Sequence, residues 1–463
     1  MTDSFLIGCG AGFSGDRTDV AEPLVEALIA DGRPSALFFE TLGERTLAFA
    51  QIRRSDDPET GCEPLLEEIL APVLGRCLAA GIPIVGNFGA ANPGAAARLI
   101  ARLALAAGQP EARIATVTGD EVSGLAGDLS ALGLDDRLEG ARRLAANAYL
   151  GARPIAEALG RGAQVVVTGR CADPALALGP LVHHFGWSWE DWDRIAAGTL
   201  VGHLLECGSQ VTGGYFADPG RKEVPGLERL GFPIAEVAAD GSAVITKPAG
   251  TGGLVSPATV KEQLLYEIHD PAAYLTPDVV LDVTGVEVAQ VGPDRVAVAG
   301  ARGRPRPETL KVTVSVDGGW IGEGEISYAG PNAEARARLA LEVLRKRCSG
   351  IARLRGDLIG VGSVFGDEGG RFLEGRRGTT EDLRVRIAVE DSERKAVERA
   401  LREVEALLCC GPAAGGGARS AIRRRVNTWS ALAPREPIEA AVEVSVRTAD
   451  DPAGAAPAEA SHV

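Results

Sequence analysis

Five short apolar runs, each followed by a polar or glycine-rich turn, constrain the fold of this chain more than any other feature. They are 4–8 (SFLIG), 35–39 (SALFF), 82–86 (IPIVG), 113–117 and 164–168 (QVVVT). A run this short, apolar without alternation, reads as a strand covered on both faces, as in a parallel sheet. Stretches of helical spacing lie between the runs, over 20–30, 64–80 and 95–107. Pro64 to Ala80 reads as one amphipathic helix stopped by Gly81. The alternation predicts an α/β chain with a mostly parallel, Rossmann-like sheet and helices on both faces.

Ligands of such sheets bind at the carboxyl ends of the strands. Those ends carry Gly10, Gly12, Gly15 and Asp16, then Glu40, then Asn87 and Asn92, then Asp120, then Arg170 with Asp173. We take the first eight of these, through Asp120, as candidate substrate-binding residues. Gly10-x-Gly12-x-x-Gly15, with Glu40 closing the next strand, has the outline of a dinucleotide fingerprint. Asp16 and Asp19 would repel a pyrophosphate there, so a glycine turn serving the sheet or another ligand is the stronger reading.

The stretch 171–247 gathers chemistry. Three of the five histidines, His183, His184 and His203, lie in it with Glu206, Cys207 and Lys247. His203 and Glu206 are three apart on a helix expected over 189–206, so they share a face. That spacing permits metal ligation, but two ligands do not make a site. No metal or nucleotide motif is strong, so the cofactor is left unassigned. Cys207 is a candidate nucleophile, with a buried inert thiol the plainer reading. Asp173 fits either an N-cap of the helix expected over 174–185 or an acid/base. Lys247 precedes Gly250, Thr251 and Gly252 at the entrance to a helix over 257–267, which resembles an anion cradle. The catalytic candidates are His203, Glu206, Asp173, Arg170 and Lys247. Arg170 and Lys247 would hold a carboxylate or phosphate. Gly250, Thr251 and Gly252 join the substrate-binding set.

Downstream, 232–247 reads as a strand pair turned at Asp240-Gly241, and 279–329 as antiparallel strands. From 331 the order is helix, strand, strand, helix, strand, strand, which suits a smaller α+β domain. The expected division is an α/β core over 1–275, an antiparallel and α+β domain over 276–449, and a disordered tail over 450–463. A net charge of −15 and a pI near 5 argue against nucleic acid as a partner. The basic run Arg419 to Arg425 could still meet an anionic ligand. No 18-residue apolar run or basic leader is present, and the eight cysteines form no CxxC pair, which points to a reducing cytoplasm.

The segments GCGAGFSGD, NFGAANP, QVVVTGRCADPALALGPLVHHFGW, GHLLECGSQVTGGYFADPG, TKPAGTGGLV and TVKEQLLYEIHDPAAYLTPDVVLD together resemble the acyclic terpene utilisation A (AtuA) family. The resemblance runs from about residue 4 to 446. It implies a cytoplasmic protein in the catabolism of acyclic terpenoids, or of related acyl-CoA or carboxylate compounds, with a small companion subunit. Homo-oligomeric assembly is a further expectation. The first functional reading is a lyase or hydratase acting on an acyl-CoA or small carboxylate. The alternatives are a non-catalytic ligand-binding or scaffold subunit of an acyl-CoA-processing complex, and an NAD(P)-dependent oxidoreductase resting on Gly10, Gly12, Gly15 and Glu40.

Overall fold

Ser4–Cys9 (β1), Ser35–Phe39 (β2) and Ile84–Gly86 (β3) are the first three apolar runs, and each is a strand of one large sheet. Arg113–Thr118 (β4) and Val165–Thr168 (β6) complete its parallel centre. The order there is β1-β2-β3-β6-β4, every neighbour parallel. The structure is a computed structural model that describes residues 4–124, 142–367, 369–377 and 381–451. Most of the expected tail lies outside the described residues.

The helices cover both faces of this centre. Ala21–Asp31 (α1), Leu66–Leu70 (α3), Leu74–Ala80 (α4) and Pro93–Ala106 (α5) share a core with Leu6, Leu37, Phe39, Ile84, Val165 and Val167. Successive strand residues point to opposite faces. Phe5, Ile7, Phe38, Val85 and Val166 therefore face the other way, and all are buried. Arg153–Gly160 (α6), Ala175–Phe185 (α7) and Trp192–Glu206 (α8) pack against the same strands. The helix expected over 64–80 is two helices. Pro72 sits between α3 and α4, where its missing N–H and its ring interrupt the turn.

The sheet extends well past its parallel centre. Ile234–Ala238 (β7), Ala243–Thr246 (β8), Glu287–Gly292 (β11) and Arg295–Ala299 (β12) add on antiparallel beside β1. Glu443–Thr448 (β18) adds on antiparallel beside β4. Only five of the ten strands belong to the parallel block, so the sheet is mixed and not mostly parallel. Tyr274–Leu275 (β9), Val280–Asp282 (β10) and Arg302–Arg304 (β13) make a separate three-stranded sheet.

The chain divides into two compact units, Met1–Ser315 with Thr428–Val463, and Val316–Asn427. The division differs from a boundary at 275, because the antiparallel strands after that residue join the first unit's sheets. The last strand, β18, likewise returns to the first unit.

In the second unit, Arg353–Ile359 (β15), Asp382–Asp391 (β16) and the ends of two long strands, Thr309–Ala329 (β14) and Gly415–Pro434 (β17), form an antiparallel sheet. Ala333–Arg347 (α10) and Arg394–Cys410 (α11) bury one face of it. The basic run of β17 is matched with acids of the same unit. Arg419 pairs Glu325, Arg423 pairs Glu323, Arg424 pairs Asp317 and Arg425 pairs Glu390. Among the described residues, no helix is long and apolar enough to cross a membrane.

Candidate functional site

The carboxyl ends of β2, β3, β4 and β6 bring Glu40, Asn87, Asp120 and Arg170 together. Asn87 sits after β3, between the ends of β2 and β6. Its Nδ2 donates to Glu40 Oε1 at 2.9 Å, and its Oδ1 accepts from the Thr41 N–H at 2.8 Å. Glu40 Oε1 also accepts the Leu42 N–H at 2.7 Å. Asp120, after β4, accepts the Arg170 backbone N–H and the Asn147 amide, each at 2.9 Å.

Arg170 is the centre of this rim and is 1% exposed. Its Nε donates to the Cys171 carbonyl at 2.7 Å, and its two terminal nitrogens donate to the Leu42 carbonyl and to Asp173. The Tyr149 ring lies under the guanidinium at 4.5 Å. Lys311 meets the same ring at 4.8 Å, and Glu44 accepts from the Tyr149 hydroxyl at 3.0 Å. Arg170 is therefore committed to the protein itself. It positions Asp173 and the Leu42 carbonyl and is too deep to receive a substrate carboxylate. Asp173 is not the N-cap of α7, where Pro174 occupies that position without a side-chain bond. Its side chain is 35% exposed, which makes it the open member of the pair.

Helix α8 supplies the other wall. His203 Nδ1 and Glu206 Oε1 are 3.0 Å apart, as the three-residue spacing predicts. His203 Nε2 faces the Leu264 carbonyl at 3.3 Å. Both ring nitrogens are thus in use, so the pair is not a ready half of a metal site. Among the described residues no three His, Cys, Asp or Glu side chains are grouped to hold a metal. Glu206 Oε2 is buried and has no protein partner. The Tyr274 ring lies 5.5 Å from the His203 ring.

The glycine loop packs on the end of α8. A Cβ on Gly12 would come within 2.4 Å of the Cys207 backbone, and one on Gly10 within 2.4 Å of the Phe39 ring. The Gly10 N–H donates to the Phe38 carbonyl and the Gly12 N–H to Asp16. Gly15 has φ +92°, a conformation that favours glycine. Close approach of chain to chain accounts for Gly10 and Gly12, and their N–H groups do not face a pyrophosphate. Gly12→Ala is expected to destabilise the protein by about 1–3 kcal/mol, because the contact is with backbone that cannot swing away. Thermal melting measures this, and an unchanged midpoint would contradict the packing.

Five other candidate positions have local work. Asn92 caps α5 through the Ala95 N–H and donates to the Pro58 and Thr60 carbonyls. Lys247 pairs Asp294 at 3.2 Å and donates to the Thr251 carbonyl at 3.0 Å. Thr251 Oγ1 donates to the Pro248 carbonyl, and the Gly252 N–H to the Arg229 carbonyl. Gly250 has φ +78° in the same turn. The segment 247–252 is a self-bonded turn and not an open cradle. A cavity of about 260 Å³ beside Asp193, Leu204, Gly241 and Arg302 adjoins the β7–β8 turn. That turn lies at the amino end of β1, away from the groups above.

The charges are tuned by depth. Burial, reinforced by Asp173 and partly offset by Arg170, raises the Glu40 carboxyl to about 8. Burial raises Asp120 to about 6. Burial also raises Glu206 to about 7, against the pull of His203. Burial would lower His203, but Glu206 outweighs it and the imidazole is raised above 6.5. Burial, with Glu206 second, pushes the Cys207 thiol up, which suits an inert thiol and not a nucleophile.

These shifts give the fold a definite pH dependence. Each raised carboxyl binds its proton more tightly folded than unfolded. Its contribution is full below the ordinary value of 3.8 or 4.5 and is lost as pH rises through about 6, 7 and 8 in turn. The raised His203 acts in the same direction above pH 6.5. Lowered acids such as Glu44 and Glu236 titrate below about 4.5 and do not offset this, while His183, lowered by burial, opposes it only below pH 6.5. The melting temperature is expected to fall by several degrees from pH 5.5 to pH 9, and Glu40→Gln to flatten the slope. A profile rising over that range would contradict the burial of these acids.

Residues 5–444 match the family described as acyclic terpene utilisation family protein AtuA. The chain belongs to the AtuA family. No curated protein and no solved structure matches it. The AtuA match spans both units and every element of the rim. Membership ties the chain to the use of acyclic terpenes, while the reaction has to be argued from the side chains.

Proposed function

We propose that this AtuA-family chain is a catabolic enzyme that moves protons beside a carbonyl. In this reading it is a hydro-lyase or hydratase acting on an acyl-CoA or a small carboxylate. The observation that carries the reading is the His203–Glu206 pair, with Glu206 Oε2 buried and without a protein partner. An acid held near neutrality is suited to both taking and giving a proton at working pH. Burial raises Glu206 to about 7, which meets that requirement.

Elimination of water breaks a Cα–H and a Cβ–O bond and forms the C=C bond. The Cα proton goes to one carboxylate, and the leaving oxygen takes a proton from an acid and departs as water. Glu206, backed by His203, suits the oxygen end. Asp173, open to solvent and fixed by Arg170, suits the carbon end. Hydration runs the same bonds in reverse.

The test offers the purified chain hydroxyacyl and enoyl thioesters and the free acids, alone and with a small companion subunit of the kind the family resemblance implies. Turnover that disappears in Glu206→Gln would support the reading. No turnover on any of them, with or without the companion, would refute it.

A further inference from the structure

We propose that Gln263 and Glu206 form one subsite that binds the reacting water, each accepting one of its hydrogens. Gln263 lies on Pro257–Leu265 (α9) and is 2% exposed. Its Nε2 donates to the His203 backbone carbonyl at 3.0 Å. That bond fixes the amide, because the carbonyl can only accept. Gln263 Oε1 is left buried with no protein partner, as is Glu206 Oε2. Both side chains are anchored on one residue, the Gln263 amide on the His203 carbonyl and the Glu206 carboxyl on the His203 ring, which brings their free oxygens to the same end of α8.

His203 cannot supply the missing hydrogens. Its Nε2 faces the Leu264 carbonyl and must carry a hydrogen there. Its Nδ1 shares one further proton with Glu206 Oε1. While the pair holds only that proton, Oε2 is a bare acceptor whichever side of the bond it occupies, and the second proton that makes Glu206 an acid is the one that comes from the reacting oxygen. A buried acceptor left without a donor is destabilising, and here there are two. A substrate hydroxyl has one hydrogen and satisfies one of them. Water has two and satisfies both, which leaves its lone pairs for an electrophilic carbon. In the hydration direction the oxygen forms the C–O bond and its proton passes to Glu206 Oε2. Gln263 then contacts the reacting oxygen and is a specificity residue that the sequence did not reveal. The water's role as reactant rests on the hydro-lyase reading, but its binding does not.

The test is a crystal structure of the full chain at a resolution that shows ordered water, beside the Gln263→Met variant. A density peak about 2.7–3.2 Å from both oxygens is expected in the natural chain and none in the variant. An infrared titration supplies an independent readout. The carboxyl band lost in Glu206→Gln should shift its midpoint upward by about one pH unit in Gln263→Met, because the carboxylate loses a donor. A purely packing role for Gln263 would leave that midpoint in place. If Gln263→Met does not fold, Glu206→Gln in the crystal serves instead, since its amide nitrogen donates and should displace the peak. No peak in the natural chain, or an unmoved midpoint in a folded variant, overturns the subsite. A peak without turnover supports the subsite and counts against the hydro-lyase reading. Turnover without a peak overturns the subsite and leaves that reading standing.

Discussion

Arg170→Met is expected to lower the stability of the fold by about 3–5 kcal/mol, the typical cost of breaking a buried charge pair from one side. The guanidinium binds the Cys171 and Leu42 carbonyls and Asp173, and Tyr149 stacks beneath it. Methionine fills the volume but leaves both carbonyls without that donor and Asp173 without its cation. Glu40 would also lose the positive charge that holds its carboxyl down, so its pKa should climb further. Lysine is no remedy, because its single ammonium cannot reproduce a fork that reaches three acceptors. Chemical denaturation measures the loss. A change under 1 kcal/mol would mean that the rim is held by something other than this arginine.

The largest effect on activity is expected at Glu206. Glu206→Gln should reduce kcat by about 10²–10⁴-fold, the usual contribution of a positioned acid or base. The amide can still bond His203, so the melting temperature should stay close to that of the natural chain or rise slightly at alkaline pH. The pH–rate profile is the sharper readout. In the natural chain one limb should have an apparent pKa near 7 that belongs to the coupled His203–Glu206 pair. In Glu206→Gln that limb should vanish. If the limb persists with kcat reduced, the titrating group lies elsewhere, and Asp173 or Glu40 would be the next to replace.

Much of the parallel centre is legible in the sequence, because strands covered on both faces must be continuously apolar. Arg143–Ala148 (β5) escaped notice for the opposite reason. Its sequence, RLAANA, is alanine-rich and has little β character of its own. It is a strand through its surroundings. Tyr149, just after it, donates its N–H to the Lys311 carbonyl at 2.9 Å. The pairing of β18 with β4 spans more than 300 residues of chain, and no local pattern encodes it.

The candidate site was legible only as a set of residue types. Glu40, Asn87, Asp120 and Arg170 stood out as polar residues at strand ends, and His203 with Glu206 as a helical pair. Asn92 and Lys247 looked the same in the sequence, yet one caps a helix and the other pairs an aspartate. Residue type does not distinguish a cap or an ion pair from a ligand contact. Tyr149, Gln263 and Tyr274 were missed because their importance lies in what they touch. A buried Gln at an inward position of α9 is the one signal that could have been read, since burying an amide requires partners.

Hydrogen exchange with solvent tests the central claim most directly. The natural chain and Glu206→Gln would each be incubated in heavy water with an enoyl or hydroxyacyl thioester, and the product mass followed. The account predicts one solvent deuterium at the α-carbon per hydration event in the natural chain, and at least a hundredfold slower incorporation in a folded Glu206→Gln. Equal incorporation by the two proteins would contradict it.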